Sequence, residues 1–232
     1  MKLAVMQPYF LPYVGYFQLI AAVDCFVVYD NIKYTKKGWI NRNRMLQNAK
    51  EAVFTLPLKA GSDALDIRDR ELAKDFNRER LLRQFKEAYR GAPFFNDTCR
   101  LIDEVLRCDE GNLFRFLHHS IVKACRHLGI RTPITTSSSI PIDHRLRGEE
   151  KVLALCAALG ADVYINAIGG IDLYSRDEFR VHGVELKFIK SNPFTYPQHD
   201  NEFIPWLSIL DVLMFNPVDV IRRYLDSGYE LV

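Results

Sequence analysis

Lys2-Leu3-Ala4-Val5-Met6, then Gln7-Pro8-Tyr9-Phe10-Leu11-Pro12-Tyr13-Val14-Gly15-Tyr16, then Cys25-Phe26-Val27-Val28-Tyr29 decide the fold. The first apolar run ends at Gln7-Pro8, where proline removes a ladder donor, so it reads as a buried strand. Tyr13–Val23 has helical spacing, with Phe17, Ile20 and Ala21 on one side. Cys25–Tyr29 is a second β-rich run, closed by the turn formers Asp30-Asn31. A strand, a glycine-containing turn, a helix and a strand within about 30 residues form a βαβ unit. Such a unit implies a parallel sheet whose ligands sit beyond the strands' C-terminal ends.

Working outward, Asn41–Leu46 and Ala52–Leu58 are extended runs around a polar turn and predict a hairpin. Residues 74–90 and 94–129 carry helical periodicity, through Leu81, Leu82 and Phe85 and through Leu113, Phe116 and Leu117. Ile134–Thr136 reads as a third parallel strand, followed by Ser137-Ser138-Ser139. Glu149–Leu159 is a patterned helix stopped by Gly160, and Asp162–Asn166 is a strand that runs out to Gly169-Gly170. Val184–Ile189 is another strand, and Pro217–Leu225 a helix with proline in its first turn. Strands and helices alternate at both ends while helices group in the middle. The predicted fold is therefore three-layer α/β, a mainly parallel, doubly wound, Rossmann-like and nucleotidylyltransferase-like sheet, in one domain over 1–232 with a helical insertion at about 70–130.

Composition narrows the function classes. With 48% hydrophobic residues in 232, one large core is affordable in a single unit. The formal charge of +2, from 31 basic and 29 acidic side chains, lacks the basic excess of a nucleic-acid binder. Lys33, Lys36, Lys37, Arg42 and Arg44 still form a local cluster fit for a small anion, because local field decides that. The five cysteines are odd in number and show no CxxC spacing, which points to reduced, buried thiols and no zinc site. No apolar run approaches the roughly 18 residues of a membrane span, and no leader pattern opens the sequence, so the expected location is the cytoplasm.

The segment Gln7–Tyr16 holds the densest signal. Two prolines stiffen it, Tyr9, Tyr13 and Tyr16 offer rings and phenols, and Gly15 lets a helix begin close to a ligand. Helix N-termini favour phosphate or carboxylate. The plainer alternative is a turn with packing aromatics. Next comes Trp39-Ile40-Asn41-Arg42-Asn43-Arg44. If it is extended, Asn41 and Asn43 share one face and Arg42 and Arg44 the other. Arginine pairs with phosphate, asparagine reads sugar hydroxyls, and Trp39 stacks on a ring; an exposed hairpin strand is the alternative. Ser138 after the third strand can cradle phosphate or simply form a turn. Gly169 and Gly170, with Tyr174 nearby, leave room for a ligand ring, or make a tight turn. Asp143-His144 is a minor acid–base pair. His199, in Tyr196-Pro197-Gln198-His199-Asp200, is the foremost general-base candidate. No set has metal-ligand spacing.

MQPYFLPYVGYFQLI, followed by DCFVVYDNIKYTKKGWINRNRM, resembles the opening signature of the WbqC-like family. SSSI, GADVYINAIGGIDLY and TYPQHDNEFIPWLSILDVL continue the resemblance over nearly the whole chain. The family is similar to proteins of bacterial O-antigen and surface-polysaccharide clusters. That implies a cytoplasmic transferase that forms an amide, by acyl or aminoacyl (for instance glycyl) transfer, on a nucleotide-linked amino sugar. Arg42 and Arg44 would hold phosphate, the tyrosines and Trp39 would seat a ring, and His199 or Asp30 would take the amine's proton. The donor is left open between ATP, coenzyme A and an acyl-carrier thioester. Tyr13-Val14-Gly15-Tyr16 also resembles the HxGH loop of nucleotidylyltransferases, with tyrosines replacing both histidines. That keeps an ATP-dependent adenylyl-transfer ligase as an alternative, beside a non-catalytic nucleotide-sugar-binding accessory protein.

Overall fold

The computed structural model describes residues 1–62, 64–199 and 202–232. Its central sheet has six strands: β1 (Lys2–Met6), β2 (Cys25–Val28), β5 (Ile134–Thr136), β6 (Val163–Ala167), β7 (Glu185–Ser191) and β8 (Tyr229–Leu231). They lie in the order β5-β2-β1-β6-β7-β8. All neighbours are parallel except β8, which runs antiparallel to β7. A separate antiparallel hairpin is formed by β3 (Arg42–Gln47) and β4 (Lys50–Thr55).

Alternation along each strand explains the three layers, because successive side chains leave opposite faces of a sheet. Ala4, Phe26, Val28, Ile165 and Ile189 point to one core, which they share with α1 (Val14–Ala21), α4 (Leu113–Leu128) and α8 (Val218–Ser227). Leu3, Val5, Val27, Tyr164, Leu186 and Phe188 point to the other, under α5 (Gly148–Leu159) and α6 (Arg176–Val181). The remaining helices, α2 (Arg78–Ala88), α3 (Phe95–Leu106) and α7 (Ile209–Phe215), pack around the first core with the hairpin.

Successive strands progress outward from β1 on one side, through β2 to β5, and on the other through β6 to β7. The order reverses between β1 and β6, the place where open α/β sheets bind ligands. Here the two strands also separate early. They pair only at Lys2↔Val163 and Leu3↔Tyr164, whereas β1 and β2 pair through to Met6↔Val28.

Three expectations need correction. Residues 94–129 are two helices, broken at 107–112, because Asn112 accepts a hydrogen bond from the Arg115 amide and starts α4 afresh. Residues 74–77 lie outside the helix, for Asn77 caps α2 by accepting from Arg80 N at 2.8 Å. Pro217 sits at the N-cap of α8, one position before the first turn. Sequence periodicity also passed over α7. All seven of its residues are buried, so it has no polar face to reveal a helical period.

Candidate functional site

The turn after β1 is rigid because other segments hold its carbonyls. Asn43 Nδ2 donates to Phe10 O at 3.2 Å and to Leu11 O at 2.9 Å. Ser208 Oγ also donates to Leu11 O, and Ile209 N donates to Pro12 O at 2.9 Å. Together they fix Leu11 in the left-handed region, at φ 44°. Asn43 thus serves the turn with its amide. Asn41 is equally committed: it accepts from Tyr34 Oη and donates to Leu56 O, both at 2.7 Å. Both are buried, so the expected sugar-reading asparagines act on protein groups instead. Asn43→Ala should lower the unfolding free energy by about 1–3 kcal/mol, as buried carbonyls lose their donor. Urea denaturation checks this, and an unchanged midpoint would refute the bracing role.

With the turn fixed, a cleft of about 370 Å³ opens where β1 and β6 part. Met6, Gln7, Tyr9, Tyr13, Gly15 and Tyr16 line one wall; Asn166, Gly169, Gly170 and Tyr174 line the other. Asn166 is held by its own backbone, its Oδ1 accepting from Ala167 N at 2.8 Å. A Cβ on Gly170 would stand 2.7 Å from Asn166 Nδ2, so a side chain there would displace the Asn166 amide. The Tyr9 and Tyr16 rings lie 5.7 Å apart. Tyr16 Oη donates to Gln7 O at 2.9 Å, which commits its proton to the protein. The HxGH-like pair therefore presents Tyr13 and a tied Tyr16.

Burial raises the proton affinity of every phenol here. Tyr9 and Tyr13 are pushed above the ordinary value by desolvation, with each other's proximity adding for Tyr9. Tyr16 is pushed well above it, chiefly by desolvation and then by Tyr9. Tyr29 and Tyr174 shift the same way, again mainly through desolvation. The cleft is thus lined by neutral phenols over the whole physiological range, suited to hydrogen bonding and stacking and unsuited to proton abstraction.

Tyr13 is the hub of this region. Its ring borders the cleft, a smaller recess of about 220 Å³ with Trp39, Arg44 and Trp206, and an apolar chamber of about 550 Å³ with Phe194, Phe203 and Tyr224. Arg44 therefore stands close to the aromatic turn, with two of its three nitrogens in use and its buried Nε without a hydrogen-bond partner among the described residues. Nη1 reaches Glu51 Oε2 at 2.9 Å, and Nη2 donates to Trp206 O at 3.0 Å. Arg42 lines none of these chambers among the described residues; its Nε and Nη2 donate to the carbonyls of Gly38 and Lys37. Both guanidinium groups flank the exposed Trp39 ring, at 5.5 and 5.2 Å from its centroid.

The two expected bases lie elsewhere. Asp30, at the end of β2, is buried and accepts from Ser137 Oγ at 2.8 Å, Ser138 N at 2.9 Å and Ser138 Oγ at 2.5 Å. Its carboxylate clamps the turn after β5, and Ser138 is its partner there. His199 is exposed, with φ 53° and its ring edge-on to Phe215, centroid 4.9 Å away; it lines none of these chambers. Its neighbour Asp200 lies outside the described residues. Tyr196 and Gln198 donate to the buried Asp211, each at 2.7 Å.

Sequence reasoning passed over Asn31, Tyr29, Asn166 and Lys151. Lys151 had a readable sign: a lysine four residues before Leu155, on the buried stripe of α5.

A mainly parallel sheet with helices on both faces and an open, tyrosine-lined crevice at its strand-order reversal defines a three-layer α/β protein. The chain belongs to the WbqC-like protein family, whose model matches residues 7–223. It is similar to the Uncharacterized protein Rv1507c of Mycobacterium tuberculosis (strain ATCC 25618 / H37Rv), 27% identical over 220 residues that cover 93% of each chain. No solved structure matches it. Among the described residues, no helix is long and apolar enough to cross a membrane.

Proposed function

We propose that this chain binds a nucleotide-linked amino sugar in the cleft between β1 and β6 and forms an amide on its amino group, by acyl or aminoacyl transfer. The observation that carries the reading is the cleft itself: a volume of about 370 Å³ at the reversal of strand order, walled by rings and neutral donors. Tyr9 and Tyr13 would flank the sugar ring, and Gln7 would meet its hydroxyls. The apolar chamber beyond Tyr13 would receive the acyl donor. Only a neutral amine attacks a carbonyl, so a base is needed to take its proton; as the C–N bond forms, the donor's C–S or C–O bond breaks and its thiol or AMP leaves. His199 and Asp30 are the groups proposed for it.

The second reading, a non-catalytic nucleotide-sugar-binding accessory protein, is favoured by one specific observation. Asp30 has both carboxylate oxygens engaged and His199 stands outside the cleft, while the cleft's phenols stay protonated.

Thermal-shift titration with nucleotide-linked amino sugars, ATP and coenzyme A tests the binding. A ligand at about a hundred times its Kd should raise Tm by about 5–10 °C. The cleft phenols should add no pH dependence of their own from about pH 6 to 9, because they stay protonated there. Mass spectrometry of mixtures with each donor then separates the two readings: an amide product that vanishes in His199→Ala or Asp30→Asn supports transfer, and binding without product supports the accessory role. No shift with any nucleotide-linked sugar overturns both.

A further inference from the structure

A cavity of about 530 Å³ adjoins the cleft and shares Tyr29, Ile32 and Tyr174 with it. Its charged lining is of a different kind from the cleft's. Lys33, Arg147 and Lys151 supply cations and Asp66 the opposing carboxylate, while Arg145 is neutralised by Asp143 at 2.9 Å. Three cations against one carboxylate leave a local positive surplus in a chain whose overall charge is near balance.

Lys151 is the anchor of this lining. It is only 3% exposed, and its Nζ donates to Asn31 O at 3.2 Å and Asn31 Oδ1 at 3.1 Å. An ammonium has three N–H donors, so one is left over. No carboxylate lies within ion-pair distance of it among the described residues. Desolvation draws its proton affinity down; Asp66 and Asp30 oppose that and Arg68 adds to it. A buried cation with only neutral acceptors is costly unless an anion completes it. Around it the framework is built: Asn31 Nδ2 lies 2.9 Å from His144 Nδ1, and Asn31 Oδ1 also accepts from Ser137 Oγ at 2.7 Å. The single Ser137 hydroxyl proton is shared between Asn31 Oδ1 and Asp30 Oδ1, 2.8 Å away, so the polar network runs back to the ends of β2 and β5.

We propose that this cavity seats the diphosphate of the bound ligand, with Lys151 as its buried contact and the exposed Arg147 and Lys33 completing the charge. This rests on the reading of the neighbouring cleft as the seat of the sugar, and it deepens that reading by naming the ligand as a diphosphate ester. It also moves the anionic pole away from Arg42, whose Nε and Nη2 donate to backbone carbonyls, and from Arg44, whose Nη1 and Nη2 meet Glu51 and the Trp206 carbonyl. The side chains of Arg147 and Lys33, by contrast, have no hydrogen-bond or ion-pair partner among the described residues.

Inorganic pyrophosphate, titrated calorimetrically into the full chain, tests the assignment. Arg147→Ala, at an exposed side chain, should weaken binding about tenfold or more, as should Lys151→Met, because each removes a charge-assisted contact. Arg42→Ala should bind as the parent does. Circular dichroism shows whether Lys151→Met folds, and Arg147→Ala carries the test alone if it does not. A nucleoside diphosphate and a short prenyl diphosphate, run alongside, identify the ester: either one binding more tightly than pyrophosphate and losing affinity in Arg147→Ala supports the site. Absence of pyrophosphate binding, or equal affinity in parent and Arg147→Ala, overturns it. Nucleotide-sugar binding that depends on Tyr13 but ignores Arg147 would sink this inference alone. Pyrophosphate binding without any nucleotide-sugar binding would sink the cleft reading alone.

Discussion

Replacing Asp211 with alanine should remove about 3–5 kcal/mol of folding free energy, a large share of a domain's total. The carboxylate is fully buried in α7 and is the common acceptor for Tyr89 Oη at 3.0 Å, Tyr196 Oη at 2.7 Å and Gln198 Nε2 at 2.7 Å. Alanine would leave the buried Tyr89 and Tyr196 hydroxyls without this acceptor, while Gln198 Nε2 keeps Ile204 O, and such orphans cost far more than the bond they replace. Urea unfolding measures the loss; a change of less than about 1 kcal/mol would show that the cluster relaxes around the gap.

Asp211→Asn isolates the ionisation. Burial raises the Asp211 pKa above 3.8, against the lowering by its three donors and by His199. A folded carboxyl that holds its proton more tightly than the unfolded one contributes stability that is full below that ordinary value and is lost as pH rises through the folded pKa. The stability of the parent minus that of Asp211→Asn should therefore be greatest at the acid end and shrink toward neutrality. A difference that grows with pH would mean the donors outweigh burial.

Gly15→Ala should separate folding from binding. A Cβ at Gly15 would meet the Tyr13 ring at 2.4–2.5 Å, from Cε2 to Oη. A ring end can swing aside, so the fold survives, and alanine in the first turn of α1 even gains about 0.5–1 kcal/mol in helix propensity. Tyr13, however, borders three chambers at once, and its displacement rearranges all of them. Ligand affinity in the cleft should drop about a hundredfold, near 2.7 kcal/mol, while Tm stays level or rises. Calorimetry and thermal unfolding on one preparation read both. Unaltered affinity would show that the ring's position is immaterial to the ligand.

Much of the architecture was legible because it rests on local rules. β1, α1 and β2 announce themselves through a continuous apolar run, a 3.6-residue period and a second β-rich run, and all three stand within a residue or two of where those patterns put them. The hairpin β3–β4 was legible for the same reason. The three elements that escaped lack such signatures: α7 is buried on every side, α6 has six residues of which only Phe179 is buried, and β8 is three residues long and defined by its pairing with β7. The site was legible as a place more than as a set of roles. Gln7, Tyr9, Tyr13, Gly15, Tyr16, Gly169, Gly170 and Tyr174 do converge on one cleft. Asn41, Asn43, Asp30, Tyr196 and Gln198 carry polar groups that sequence alone cannot tell from ligand contacts, since whether an amide meets a backbone carbonyl or open solvent depends on tertiary packing. Lys151 could have been read from its place on the apolar stripe of α5, four residues before Leu155.

The early parting of β1 and β6 has a consequence for how such a site tolerates change. Past Leu3↔Tyr164 the two strands make no further ladder pairs, so their facing amides and carbonyls form a notch within the sheet. An occupant of that notch can be gripped by peptide groups, which every residue type supplies except for proline's missing donor. Alanine scanning would leave such a grip intact, and its share of the affinity would surface only on replacing a peptide linkage by an ester.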